Sequence, residues 1–234
     1  MDTPTLHWQD DDELFSIMRR DLFTAVVGDV MDKMGLQRQF LPPNIRPLRG
    51  DMIIAGRAMP VLEADVFGES VPNTANPSLQ EPFGLMFRAL DDLKRHEVYV
   101  CTGASPRYAL WGELMSIRAR TLGAAGAVLD GYSRDTRGIL ELGYPVFSYG
   151  SYAQDQAPRG KVIDFRLPIE IGGVVIRPGD ILFGDIDGVL VVPQSVEKEV
   201  LQAAYAKVHG ENTVRAALLA GETAEAVFRR LGIM

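Results

Sequence analysis

The sequence is poor in the residues that several functional classes require. It has one cysteine, Cys101, and three histidines among 234 residues. A single cysteine allows no intrachain disulfide, which is typical of a reducing compartment, so we expect a cytoplasmic protein. The histidines are His7, His96 and His209, and they lack the spacing of zinc ligands. A zinc site is therefore not expected.

Long apolar runs and an excess of basic charge are also missing. No stretch approaches the roughly 18 apolar residues that cross a membrane, and the first residues, MDTPTLHWQDDDELF, do not resemble a signal peptide. The formal net charge is −7 and the isoelectric point is about 5.0. Because an acidic chain binds nucleic-acid phosphates poorly through bulk charge, we expect neither a nucleic acid nor a membrane as partner.

The composition that remains is that of one globular domain. Hydrophobic residues make up 47% and charged residues 24% of the chain, which is long enough to bury a core without disulfides. We interpret residues 1–234 as a single domain with three special segments. These are a loose N-terminal arm over 1–12, an irregular loop rich in Pro, Gly and Asn over 63–84, and C-terminal helices over 195–234.

The order of predicted elements indicates the fold class. Helical spacing covers 13–35, mixed strands and helices follow, and 160–193 is rich in strands. The segment DMIIAGRAMPV predicts a pair of strands with a kink at its glycine, and we expect Gly210 and Gly221 to break the C-terminal helices. This order favours an α/β or α+β layered sandwich rather than a regular doubly wound sheet. No dinucleotide-binding or P-loop motif is present.

The segment 111–135 places polar groups at one edge of the predicted fold. It predicts a helix over 113–122 and a short buried strand over 127–130, followed by a turn that delivers Arg134 and Asp135. About ten helical residues span ~15 Å and a strand of about five residues returns ~16 Å. The start of the helix and the end of the strand should therefore lie at the same edge.

The groups at this edge suit an α-keto acid. Unpaired amides at the start of a helix bind an anion such as a carboxylate, and Gly112 lets a ligand approach the backbone. The carboxylates of Glu113 and Asp135 suit a hard cation such as Mg²⁺, and Arg134 can donate to a carboxylate or a developing enolate. The plainer interpretation is a surface salt bridge for Arg134 and Asp135 and a dipole-compatible helix cap for Gly112 and Glu113.

The spacing of these residues also resembles that of a known family. Glu113, twenty intervening residues, and then Arg134 and Asp135 resemble the pattern of the RraA-like family, which includes the class II 4-hydroxy-4-methyl-2-oxoglutarate aldolases. The family commonly has Asp where this chain has Glu113. Three further segments carry the resemblance, namely IAGRA, IEIGGVVIRPGD and GDIDGVLVVP. It covers most of the chain, from Thr24 to the final helix.

The resemblance implies a fold, an assembly and a reaction. The implied fold is a layered αββα sandwich with mixed sheets, similar to the swivelling phosphohistidine domain, and the implied assembly is a homotrimer or homohexamer. The implied reaction is that of a divalent-metal-dependent lyase on α-keto acids. Such an enzyme cleaves a 4-hydroxy-2-oxo acid to pyruvate, decarboxylates oxaloacetate, or does both. The alternative is a non-catalytic regulatory protein that binds a partner such as a ribonuclease.

The resemblance also implies roles for single residues. The backbone of Gly112, Glu113, Leu114 and Met115 would bind the substrate carboxylate, and Arg134 would stabilise the pyruvate enolate.

The implied metal is Mg²⁺ or Mn²⁺, with Asp135 as its ligand. Glu113 would hold the metal through water or, with its longer side chain, directly, and Glu211 would reach in from a neighbouring subunit. A metal-activated water is the expected proton acceptor. The loop over 63–84 is longer than is usual in the family, and we expect it to lie over the site and influence the substrate.

Other polar residues have plainer interpretations. Cys101, on an apolar strand, is expected in the core, and Asp185 and Asp187 are expected to stabilise a turn. Lys161 is the one lysine placed to form a Schiff base. The polar run 154–156 (Gln-Asp-Gln) is interpreted as loop polarity.

Overall fold

The computed structural model describes residues 5–68 and 71–232, and this part contains seven α-helices and twelve β-strands. The helices are α1 (Asp11–Asp21), α2 (Thr24–Lys33), α3 (Met86–Asp91), α4 (Glu113–Thr121), α5 (Thr136–Leu142), α6 (Glu197–Leu219) and α7 (Ala224–Leu231). The strands are β1 (Arg46–Pro47), β2 (Ile54–Asp65), β3 (Glu97–Thr102), β4 (Ala109–Trp111), β5 (Gly126–Leu129), β6 (Tyr132–Ser133), β7 (Val146–Ser148), β8 (Gly160–Phe165), β9 (Ile169–Ile171), β10 (Val174–Ile176), β11 (Ile181–Asp185) and β12 (Gly188–Val192).

Eight of the strands form one mixed sheet in the order β1-β7-β5-β3-β2-β11-β12, with β8 added to β2. Strands β2, β3, β5 and β7 run parallel, whereas β11 and β8 are antiparallel to β2. Strand β2 pairs with β11 along its first residues and with β8 along its last residues. The mixed α/β class predicted from the order of elements is confirmed.

Helices cover one face of this sheet. Met59, Tyr99 and Ala127 are register partners, so their side chains lie on the same face, and they pack into the core cluster beneath α3, α4 and α5. Ala55 and Phe183 continue that face towards β12, where α1, α2 and α6 cover it. Helices α1 to α6 therefore bury their apolar sides against a single layer.

A β-hairpin covers the other face. Strands β9 and β10 pair with each other and pack against residues such as Val98 and Val128 of the sheet. Along both hairpin strands buried and exposed residues alternate, with Glu170 and Val175 facing outward. Within the described ranges no helix covers that outer side, so the second helical layer of the expected αββα sandwich is not observed. The comparison with the phosphohistidine domain is not confirmed.

Two glycine-based expectations were wrong. The segment around Gly56 forms one continuous strand, β2, rather than a kinked pair, and the glycine is required because a Cβ there would lie 2.3 Å from the carbonyl oxygen of His96. Gly210 lies inside the uninterrupted α6, since one glycine costs a helix only about 1 kcal/mol relative to alanine. The helical stretch does break at Gly221, which adopts a left-handed conformation with φ of +90°.

The N-terminal segment is less loose than expected. Leu6 is buried among residues of α1, α2 and α6, and its backbone N–H donates to the side chain of Gln202 at 2.8 Å. Residues 1–4 of the expected arm lie outside the described residues. In the described part no helix has the length and apolar content that a membrane crossing requires.

Candidate functional site

The candidate site lies where α4 and α5 begin. Strands β4 and β6 form a short parallel ladder that pairs Trp111 with Ser133, and the backbone N–H of Arg134 donates to the carbonyl of Trp111 at 2.9 Å. The residues that follow the two strands are Gly112 and Arg134, so the ladder brings the start of α4 beside the Arg-Asp pair. The structure thus brings together groups that are more than twenty residues apart in sequence.

Gly112 is in close contact with the Arg-Asp pair. A Cβ at this position would lie 2.8 Å from Oδ2 of Asp135 and 3.6 Å from Cγ of Arg134. Gly112 is also the residue that caps the N-terminus of α4, in extended backbone, and no side chain there occupies the unpaired amides of the first turn. Glycine at 112 therefore leaves room for the Asp135 carboxylate and keeps the helix start accessible to an anion.

Asp135 is held in an unusual backbone conformation. It caps α5 with φ of +55°, in the left-handed region, which is uncommon for residues other than glycine. The flanking ladder and helix fix this conformation. Strained backbone of this kind is frequent at ligand-binding positions.

The guanidinium of Arg134 lies between two carboxylates. Its Nε is 3.7 Å from Oδ2 of Asp135 and its Nη1 is 3.1 Å from Oδ1 of Asp155. All three side chains are between a third and a half exposed, so solvent and a ligand can reach them. Arg134 therefore keeps a fixed orientation while part of its donor set stays accessible.

These residues line a cleft of about 210 Å³. Its polar part consists of Arg134, Asp135, Asp155 and Gln156. Its remaining lining is the glycine and a set of apolar residues from α3, β4, α4 and the loop before α3, namely Phe83, Met86, Phe87, Ala109, Leu110, Trp111, Gly112, Leu114 and Met115. A cleft with a few convergent polar groups and an otherwise apolar lining is typical of a small-molecule site.

Two of the predicted site residues do not line this cleft. The carboxylate of Glu113 packs over α5, where a Cβ at Gly138 would lie 2.2 Å from its Cδ. Glu211 lies on α6, and its Oε1 is 3.4 Å from Nζ of Lys207 in the same helix. The role of Glu211 in the site of a neighbouring subunit stays a prediction.

Asp155 and Gln156 are cleft residues to which the sequence interpretation gave no functional role. Gln156 is 4% exposed, and its Nε2 has no hydrogen-bond partner within the described ranges. The run 154–156 has no periodicity, so the sequence alone did not place it at the site, whereas the sheet topology does. Strands β5 and β7 are parallel neighbours, so the loops after them meet at the same edge of the sheet.

The remaining candidates have structural roles. The carboxylate of Asp185 accepts hydrogen bonds from the backbone N–H and the hydroxyl of Thr24 at 2.8 and 2.7 Å, which satisfies the start of α2. Cys101 is completely buried in the core, as expected. Lys161 is also buried, and its Nζ donates to the carbonyls of Leu79 and Glu81 at 2.8 and 2.5 Å. It anchors the loop before α3 and does not line the cleft.

The donor set is compatible with a hard divalent cation. Within residues 5–68 and 71–232 no group of three or more His, Cys, Asp or Glu side chains is placed to hold a metal ion. Mg²⁺ usually takes only one or two carboxylates and completes its shell with water and substrate oxygens. Asp135, which is half exposed beside the open start of α4, fits that requirement.

The fold and the cleft define a class of protein, namely a mixed α/β protein with a cleft lined by both polar and apolar residues. A family model described as RraA-like, Aldolase/RraA, matches residues 24–191, and the chain belongs to this family. The matched range contains Gly112, Arg134, Asp135 and Asp155 but not Glu211.

Individual relatives agree with that assignment. The chain is 30% identical over 205 residues to Protein DlpA of Legionella pneumophila, a match that covers 86% of this chain and 31% of that protein. It is 42% identical over 99 residues to a protein of Halalkalibacterium halodurans named "Putative 4-hydroxy-4-methyl-2-oxoglutarate aldolase", covering 42% of this chain and 47% of that protein. The chain thus spans about a third and about half of the length of these two relatives.

A solved structure supports the fold. A Streptomyces coelicolor protein described as an unusual member of the RNase ES inhibitor RraA protein family superposes with a TM-score of 0.72, at 23% identity, over 89% of this chain and 99% of that one. At this identity the likeness concerns the fold alone.

Proposed function

We propose that this protein is a divalent-metal-dependent lyase that acts on 2-oxo acids. Its reaction would be the aldol cleavage of a 4-hydroxy-2-oxo acid to pyruvate, the decarboxylation of oxaloacetate, or both. The observation that carries the proposal is the contact of Gly112, at the open start of α4, with Arg134 and Asp135 in one cleft. The names of relatives as aldolases support the same reaction class.

The start of α4, Arg134 and Asp135 would each have a part in this reaction. The amides that follow Gly112 would bind the substrate carboxylate, because the start of a helix attracts anions. Arg134 would donate to the 2-oxo oxygen as negative charge develops there. Asp135, with Glu113 acting through water, would hold Mg²⁺ or Mn²⁺, which supplies Lewis-acid polarisation of the 2-oxo group when bound.

The electron balance of the cleavage is simple. The C4 hydroxyl loses its proton, the C3–C4 bond breaks, and its electron pair becomes the enolate of pyruvate, which then takes a proton at C3. The other product is an aldehyde or ketone. No histidine lines the described cleft, so we assign water as acceptor of the hydroxyl proton. Decarboxylation of oxaloacetate uses the same enolate and releases CO₂ without needing that base.

The decisive experiment measures pyruvate release with a lactate dehydrogenase coupling assay. We expect activity with Mg²⁺, its loss in EDTA, and a decrease of about 10²- to 10³-fold in Arg134→Ala, since one charge-stabilising donor is removed. Arg137→Ala is the matched control, because Arg137 is 92% exposed and forms a surface ion pair with Glu141. Activity that persists in Arg134→Ala, or after metal removal, would refute the mechanism.

The same assay decides between the two candidate functions. A regulatory protein that binds a ribonuclease has no need of an arginine placed between two carboxylates in a cleft. Absence of pyruvate release from every 2-oxo acid, together with tight binding to a partner protein, would support the regulatory function. The proposed homotrimer or homohexamer is tested by light scattering after size-exclusion chromatography.

A further inference from the structure

The part of the cleft beyond the polar groups is strongly apolar. Phe83 and Phe87 contact each other edge to face, with ring centroids 5.4 Å apart. Leu114 and Met115 of α4 complete this surface, which we call the apolar wall (Phe83, Phe87, Leu114 and Met115). Phe87 is 57% and Leu114 78% exposed. These side chains are therefore available to a ligand that enters the cleft.

The described residues of this chain offer the cleft little capacity for a second anionic group. Arg134 is the only cation among the described residues that line it. Its guanidinium already lies near the carboxylates of Asp135 and Asp155. A substrate with two carboxylates would place the second one against aromatic rings or near Asp155, where it would lose hydration without gaining a partner.

The apolar wall has a defined position. Phe83 belongs to the loop before α3, and the ammonium group of Lys161 anchors that loop through the carbonyls of Leu79 and Glu81. The backbone N–H of Leu85 donates in addition to the carbonyl of Val162 at 2.8 Å. The loop is thus tied to β8 on both sides of Phe83. The wall is therefore present before a ligand binds, which lowers the cost of binding.

We propose that the cleft selects 2-oxo acids that carry a single carboxylate and an apolar substituent at C4. The carboxylate and the 2-oxo group would occupy the polar part, and the substituent would lie on the apolar wall. This inference rests on the proposed lyase function, and of its two reactions it favours aldol cleavage over the decarboxylation of oxaloacetate, which is a dicarboxylate. The preferred substrate would therefore differ from 4-hydroxy-4-methyl-2-oxoglutarate, the dicarboxylate after which the Halalkalibacterium halodurans relative is named.

The test compares two substrates that differ in the group at C4. With Mg²⁺ present, pyruvate release is measured from 4-hydroxy-2-oxo-4-phenylbutanoate and from 4-hydroxy-2-oxoglutarate. We expect kcat/KM to be about tenfold or more higher for the phenyl compound, because an unpaired charge against apolar groups is penalised more than a missing apolar contact. A preference for the dicarboxylate would overturn the inference and leave the lyase function intact.

A charge added to the wall provides an independent measurement. Phe87→Lys should shift the ratio of the two kcat/KM values at least about tenfold towards the dicarboxylate. Leu114→Lys is the second variant, since that residue is more exposed and its substitution is less disruptive to folding. Phe228→Lys is the matched control, because Phe228 is 53% exposed on α7 and lies outside the cleft. The assignment of the wall would fall if both wall variants left the ratio unchanged, or if Phe228→Lys shifted it equally.

Binding of uncleavable analogues separates selectivity from chemistry. The compounds 2-oxo-4-phenylbutanoate and 2-oxoglutarate lack the C4 hydroxyl, and calorimetry measures their affinities directly. Tighter binding of the phenyl analogue is the expected result, and tighter binding of 2-oxoglutarate would contradict the proposal. If neither hydroxylated substrate releases pyruvate, aldol cleavage of these substrates is refuted, whereas the order of the two affinities still decides the selectivity.

Discussion

Glu63 provides a quantitative prediction about stability. This residue of β2 is 1% exposed, its Oε1 has no hydrogen-bond partner within the described ranges, and its Oε2 lies 3.8 Å from Sγ of Cys101. Burial raises the pKa of its carboxyl from 4.5 to about 8. The folded protein therefore holds a proton on Glu63 at neutral pH, whereas the unfolded chain releases it.

The sign and size of the effect follow from this difference in pKa. The stabilisation that the neutral carboxyl contributes is complete below pH 4.5 and is lost as the pH rises towards about 8. Each pH unit inside this window costs about 1.4 kcal/mol. From pH 5 to pH 7 we expect the contribution of Glu63 to the free energy of unfolding to fall by roughly 3 kcal/mol.

The assay is urea unfolding of wild type and Glu63→Gln at pH 5 and pH 7, at one fixed protein concentration because assembly also affects stability. Glutamine is neutral at both pH values, so the stability difference between the proteins isolates the titration of Glu63. Glu170→Gln, on the exposed side of the hairpin, is the control. A stability difference that does not change with pH would show that Glu63 titrates normally and would refute the reasoning.

Two further predictions concern the start of α4. In Gly112→Ala the new methyl group would displace the Asp135 carboxylate, which lies 2.8 Å from the Cβ position. We expect pyruvate release to fall about tenfold or more without a comparable loss of thermal stability. Unchanged activity would contradict the proposed role of the glycine. In Ser116→Ala the buried indole N–H of Trp111 would lose its acceptor, which lies 2.7 Å away. We expect the free energy of unfolding, measured in urea, to fall by about 1–3 kcal/mol. Wild-type stability would mean that another acceptor replaces the hydroxyl.

Local patterns predicted that the start of α4 lies beside Arg134 and Asp135. The helix at 113–122 and the strand at 127–130 were predicted within a residue or two of α4 and β5, since the first has strong helix formers and the second is a short apolar run. The rises per residue then placed the start of the helix near the turn that carries Arg134. These inferences use only residues that are close together in the sequence.

The apolar side of the cleft and the position of Asp155 depend on contacts that no local pattern encodes. Phe87 and Leu114 have the appearance of core residues in the sequence, but they lie exposed at the cleft. Asp155 belongs to an irregular loop whose position is set by the neighbouring strand β7. The strand-rich segment 160–193 was predicted and contains β9 and β10, but two short strands do not reveal which face of a larger sheet they will cover.

The ladder of β4 and β6 has a consequence for how selectivity can change over time. It fixes Arg134 to Trp111 through main-chain atoms, so that geometry does not depend on which side chains occupy the strands. The two aromatic residues of the apolar wall, Phe83 and Phe87, come from a separate stretch of chain. Substitutions of Phe83 or Phe87 would change which C4 substituent the cleft accepts, while Arg134 and the start of α4 keep their arrangement. The two parts of the site can therefore change independently during evolution.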